Sequence, residues 1–191
     1  MHFTMQRSMT GKLIAFVHIL AIGCSSHAQA PATEYEVKAA YLLNFGKFVK
    51  WPESALPPGT DKFSICVLGD DPFGNVLSTT VRDEKIDGKP VVARHISRSQ
   101  DVTGCQVLFV SRSEDKQVRK LLQSFSKSAV LTVSDMPGFV DHDGMIQFTL
   151  VNNRVRFEVN LDSVQQAGLV LSSELLKVAS SVKGKSRVGV L

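Results

Sequence analysis

Cysteine is scarce in this 191-residue chain, with three in all, and aromatic rings make up only 7% of it. Three cysteines are too few for the dense cross-linking of a small disulfide scaffold. No apolar run reaches the ~18 residues that a membrane-spanning helix needs. Signatures of catalysis are missing as well. There is no Gly-x-Gly-x-x-Gly, no Cys-x-x-Cys and no Gly-x-Ser-x-Gly elbow, and Asn75-Val76 stands where a P-loop beginning at Gly69 would need Lys-Ser/Thr. Charge of one sign is also lacking: 22 Lys/Arg face 18 Asp/Glu, with no basic run of five or more. The mild cluster of Lys183, Lys185 and Arg187 does not make a nucleic-acid surface, so nucleic acid is excluded as a partner. With 43% hydrophobic and 21% charged residues, what remains is one globular domain of α/β or α+β type.

Residues 1–28 read as a secretory signal. Arg7 and Lys12 form a basic start, Leu13 to Gly23 is apolar except for His18, and Ser26-His27-Ala28 offers small residues for cleavage. Cleavage is expected after Ala28, because a cut after Ala30 would leave Pro31 at the new terminus. A lipoprotein reading through Ile22-Gly23-Cys24 is the alternative, although Ala21 stands where such signals usually carry leucine. The signal holds two of the 22 Lys/Arg and none of the 18 Asp/Glu, so the remainder carries 20 against 18, a net charge of +2. The basic isoelectric point of the whole chain therefore comes partly from the leader.

The rest, residues 29–191, reads as a single domain. Thr33-Glu34-Tyr35-Glu36 has the spacing of a capping box and predicts a helix over 33–51, stopped by Pro52. Val37, Tyr41, Phe45 and Phe48 share one face of it. A connector at Pro57-Pro58-Gly59 leads to apolar strands at 63–68, 90–96, 105–110 and 129–133, separated by helices expected from about Asp71 to Val81 and from Ser113 to Phe125. Asp71 is expected to cap the first of these and Pro72 to open it. Strands alternating with helices imply a three-layer α/β fold around a mainly parallel sheet. After Asp135 the pattern changes. Two β-prone runs, 145–150 and 155–159, flank Asn152-Asn153, which suits a tight hairpin, and this antiparallel pair is expected at one edge of the sheet. Two short helices follow around Gly168, and residues 182–191 read as a frayed tail.

Cys66 and Cys105 are the only thiols left after signal removal, and an exported protein meets an oxidising compartment. A disulfide between them is expected, with two buried free thiols as the alternative. Asp70, Asp71 and Ser111 follow strands where open α/β sheets usually bind ligands, so they outline a possible pocket, unsuited to phosphate because of its own acids. Asp71 reads equally as a helix cap. Asp141-His142-Asp143 reads as a solvated turn, since adjacent residues rarely converge on one ion, and no metal or cofactor is expected. Nor is a catalytic constellation, and the chain reads as a non-enzyme. Tyr41, Phe45, Phe48 and Trp51 give the N-terminal helix more aromatic surface than a covering helix needs. They either pack on the domain's own sheet or form an interface with another chain, toward which the proline-rich connector would let the helix project.

Several segments in order resemble the YfiR-type family of periplasmic repressors. They are residues 37–45 (VKAAYLLNF), 48–52 (FVKWP), 66–73 (CVLGDDPF), 105–111 (CQVLFVS), 154–161 (RVRFEVNL), 167–169 (AGL) and 172–176 (SSELL). The resemblance spans nearly all of 34–180. It implies a periplasmic regulator, often a homodimer, that holds the sensor region of a membrane-bound diguanylate cyclase or similar sensor protein inactive and so lowers cyclic di-GMP and biofilm formation. It also implies that Cys66 and Cys105 correspond to the family's central disulfide, while a second bridge found in some members has no counterpart after Cys105. The competing reading is a periplasmic small-molecule binding module with its pocket near Asp70, Asp71 and Ser111.

Overall fold

The computed structural model describes residue 2, residues 32–56 and residues 59–184. The signal segment 1–28 apart from residue 2, residues 29–31, the two prolines of the connector and the end of the tail, 185–191, lie outside the described residues. Within these bounds the helices are α1 (Glu34–Phe48), α2 (Asn75–Thr80), α3 (Val118–Phe125), α4 (Leu161–Gln166) and α5 (Ser173–Val178). The strands are β1 (Val49–Lys50), β2 (Phe63–Leu68), β3 (Lys85–Ile86), β4 (Lys89–Ile96), β5 (Val107–Val110), β6 (Leu131–Ser134), β7 (Ile146–Val151), β8 (Arg154–Asn160), β9 (Val170–Leu171) and β10 (Ser181–Lys183).

Eight strands form one sheet in the order β10-β8-β7-β6-β5-β2-β4-β3. From β4 through β2, β5 and β6 to β7 every neighbour is parallel, and β7 with β8 makes the antiparallel hairpin. Its turn works because Asn152 and Asn153 both hold positive φ, at 50° and 58°, a conformation that Asn tolerates better than other side-chain residues. Alternation along β2 and β5 divides the core. Phe63, Ile65, Val67 and Phe109 meet Ala39, Leu42 and Phe45 of α1 on one face. Cys66, Leu68, Leu108 and Val110 meet Val118, Leu121, Leu122 and Phe125 of α3 on the other. This is the expected three-layer α/β arrangement. Gly46 sets the distance of α1 from the sheet, because a Cβ there would lie 2.6 Å from Ile86 Cδ1 and 3.0 Å from Phe63 Cε1.

The structure corrects several sequence-based expectations. The first helix ends at Phe48 rather than at 51, because Val49 turns extended (φ −108°, ψ 134°) and β1 pairs antiparallel with β9, Val49 opposite Leu171. It lies on the sheet instead of projecting from it. Its start is as expected: Thr33 Oγ1 accepts from Glu36 N–H at 3.3 Å, and Glu36 Oε2 accepts from Thr33 N–H. Asp71 does not cap α2. Its carboxylate accepts from Phe73 N–H at 2.8 Å, shaping the turn before the helix, and Gly74 occupies the cap position. The helix expected from Ser113 begins as a 3-10 helix over Arg112–Gln117, and only Val118–Phe125 is α-helical. Finally, the hairpin is not the sheet's edge and the tail is not wholly frayed. Ser181, Val182 and Lys183 add β10 parallel to β8, in register with Glu158, Val159 and Asn160.

Candidate functional site

Strand order reverses between β2 and β5, and the crevice beyond their carboxyl ends is where the sequence places a pocket. The chain occupies that space itself. Ser111 is buried, and its N–H bonds Leu68 O at 2.9 Å. Asp70 is exposed, and its N–H donates to Ser113 Oγ at 2.9 Å. His95 Nε2 lies 2.6 Å from Gly69 O, and a Cβ on Gly69 would run into Ser113 and Glu114. Among the described residues, Asp70, Asp71 and Ser111 line none of the cavities of about 190, 240 and 550 Å³.

A different cluster forms one strand further along, where β6 ends. Asp135 follows β6 directly and is 4% exposed, and Lys38, one turn into α1, is 2% exposed. Lys38 Nζ donates to Asp135 Oδ2 at 2.5 Å and also pairs with Glu34. Arg112 Nε donates to Asp135 Oδ1 at 3.0 Å, and its Nη2 donates to Asp135 O at 3.0 Å. Tyr35 donates its hydroxyl to Asp135 Oδ2 at 3.0 Å, and its ring lies 4.4 Å from the Lys38 ammonium. Burial alone would push the Asp135 carboxyl up, but hydrogen bonds and charge from Lys38, then Arg112, outweigh it and hold the group below the ordinary carboxylate range. Tyr35 is pushed up to about 12, by burial first and then by the Asp135 charge it faces. Two cations balance two carboxylates, so the cluster is neutral overall and ties the start of α1 to the end of β6.

The cluster forms the wall of a cavity of about 240 Å³, which Pro137, Phe148, Thr149 and Leu150 help to line. Thr149 Oγ1 is buried beside it without a hydrogen-bond partner among the described residues. Sequence reasoning missed this cluster, although one signal was present. Lys38 falls on the same helical stripe as Leu42 and Phe45, both buried, and a lysine on an apolar stripe calls for a buried acid.

Cys66 and Cys105 form a disulfide with Cα atoms 5.9 Å apart, because β2 and β5 are parallel neighbours with Cys105 just ahead of β5. The aromatic residues of the N-terminal segment separate by burial. Phe45 is fully buried, and it stacks on Phe148 and meets Phe157 edge-on. Tyr41 joins the same group, and Trp51 packs edge-on against Phe63. Phe48 alone of the four is largely open, at 43% exposure. Among the described residues no three His, Cys, Asp or Glu side chains gather as metal ligands, and no helix is long and apolar enough to cross a membrane.

Solved structures share the fold, two of them as follows. One is a conserved domain protein from Vibrio cholerae O1 biovar El Tor, 11% identical, with a TM-score of 0.52 over 78% of this chain and 60% of that one. The other is an ABC domain from Streptococcus pneumoniae in complex with L-Trp, 10% identical, with a TM-score of 0.54 over 76% of this chain and 60% of that one. This chain thus spans about three-fifths of each, and at such identity the likeness is one of fold alone. The family model described as YfiR/HmsC-like, by contrast, matches residues 35–180. That span takes in the disulfide, Asp135 with its partners Tyr35, Lys38 and Arg112, and both faces of the sheet, and the chain belongs to the YfiR/HmsC-like family, one of periplasmic regulators rather than enzymes.

Proposed function

We propose that this chain is exported by a cleaved signal peptide and acts in the periplasm as a homodimer. There it binds the periplasmic sensor region of a membrane-bound diguanylate cyclase and holds it inactive, so that cyclic di-GMP and biofilm formation fall. Family membership over residues 35–180 carries the reading. The fold supports it, since a rigid, disulfide-closed sandwich with exposed apolar side chains suits recognition of another protein. The test titrates the chain from residue 29 onward against the purified sensor regions of its own host's diguanylate cyclases, and then adds it to membranes containing the full-length cyclase. Saturable binding and at least a tenfold fall in cyclic di-GMP production are expected. Binding to none of them overturns the proposal.

The buried, unpartnered Thr149 hydroxyl beside a cavity of about 240 Å³ favours a second reading, a small-molecule binding module. A ligand of this kind would raise the melting temperature in proportion to the logarithm of its concentration. A melting temperature unmoved across a panel of amino acids and other small metabolites would count against it.

A further inference from the structure

The β7–β8 hairpin runs past the end of its neighbour. Pairing of β6 with β7 stops at Ser134 opposite Gln147, while β7 and β8 stay paired as far as Val151 opposite Arg154. Among the described residues, 148–151 therefore have a strand on one side only. Two cavities flank this overhang, about 240 Å³ on the Asp135 side and about 550 Å³ on the side of Val37, Arg154 and Arg156, and both are lined by Leu150 and Glu34. They form one groove around Leu150. Its apolar floor is Leu150, at 55% exposure, while the next residue, Val151, at 49%, stands on the opposite face of the strand.

Its charge is one-sided. Glu34, Lys38, Arg112 and Asp135 neutralise one another, whereas the exposed side chains of Arg154 and Arg156 have no acid partner among the described residues. Arg112 adds a guanidinium that is 63% exposed yet fixed by Asp135.

We infer that this groove is the docking site for an extended, acidic segment of the protein partner, which lies along the free edge of β7 with apolar side chains against Leu150 and carboxylates at Arg154 and Arg156. An open strand edge supplies main-chain hydrogen bonds to an extended peptide, and flanking pockets and charges select its side chains. Two unpaired arginines beside an apolar floor disfavour a basic segment. The inference rests on the proposed function in taking a protein as the partner, and it names the surface and the chemistry.

The experiment uses the ¹⁵N-labelled chain from residue 29 onward and two capped peptides, Asp-Leu-Glu-Val-Asp and Lys-Leu-Lys-Val-Lys. The acidic peptide should shift the amide resonances of residues 148–156 and of Arg112, and the basic one should not. The R154E/R156E double variant should weaken binding of the acidic peptide at least tenfold, and R156Q, a milder change at an exposed position, about threefold. Equal shifts from both peptides, shifts centred elsewhere, or binding only to vesicles of phosphatidylglycerol would overturn the inference. The sensor regions separate the two proposals. A sensor that binds wild type and R154E/R156E within twofold overturns the groove and leaves the regulator standing. An acidic peptide that docks here while no sensor region binds wild type leaves the groove standing and removes the regulator.

Discussion

Asp135 concentrates more interactions than any other polar residue described, since its carboxylate meets Lys38, Arg112 and Tyr35 at once. A buried ion pair contributes little net stability over an apolar replacement of the same shape, yet breaking it from one side leaves a charge in a low-dielectric interior. Asp135→Ala strands Lys38 with only the partly exposed Glu34 and should cost about 3–5 kcal/mol in urea denaturation. Lys38→Met should cost less, because the carboxylate keeps Arg112 and Tyr35. The pH dependence has a definite sign. Folding holds the Asp135 carboxyl below its ordinary value of 3.8, so its contribution is complete above that value and is lost as pH falls through the lower, folded one. Urea midpoints measured from pH 7 down to pH 2 should show this acid limb in wild type. In Asp135→Asn the limb should be shallower, and parallel curves for the two proteins would refute the assignment.

At the scale of elements, the Cys66–Cys105 disulfide joins the first core strand to its parallel neighbour across 39 residues that include α2, β3 and β4. The chain-entropy model gives such a loop roughly 4 kcal/mol. Cys66→Ser should therefore lower the melting temperature by on the order of 10 °C in a domain of this size. Thiol labelling of the denatured, unreduced chain from residue 29 onward, which lacks Cys24, should find no free cysteine, and two reactive thiols would end the claim. The elements that the sequence disclosed are those whose local chemistry decides their structure. Phe63–Leu68 is buried on both faces and so reads as an apolar run broken only by Ser64. The Thr33–Glu36 capping box and the Asn152-Asn153 turn are each complete within four residues. Elements held by distant partners stayed hidden. β1 and β9 are two residues each and exist because they pair across 120 (Lys50 to Val170) and 122 (Val49 to Leu171) positions, and β10 is wholly exposed with no apolar rhythm to announce it. The candidate site follows the same division. The bridge was legible from thiol count and compartment, but the Asp135 cluster joins residues 97 apart, and the expected pocket at Asp70, Asp71 and Ser111 gave no sign that Ser113 and Glu114 would crowd Gly69.

The whole molecule covers both faces of its sheet with its own helices, so surface for self-association must come from what those layers leave open. At the end of α1 the β1–β9 ribbon answers this by alternation. Val49 and Leu171 sit opposite each other and are buried, at 5% and 7% exposure, which turns their sequence neighbours Phe48 and Val170 outward, at 43% and 59%. An exposed aromatic beside an exposed valine is unfavourable by about 25 cal/mol for each Å² of apolar surface left in water, and burying both against a second copy would remove that cost. The proposed homodimer is therefore best probed at Phe48, not at Phe45, whose ring is wholly core. Phe48→Asp should leave the melting temperature within about 2 °C of wild type, as surface changes usually do, while light scattering after size exclusion reports half the wild-type mass. Phe45→Ala should behave in the opposite way, losing about 3–5 kcal/mol of stability through the cavity left among Tyr41, Phe148 and Phe157. Unchanged mass for Phe48→Asp, with wild type measured at the same concentration, would show that this face is not where copies of the chain meet.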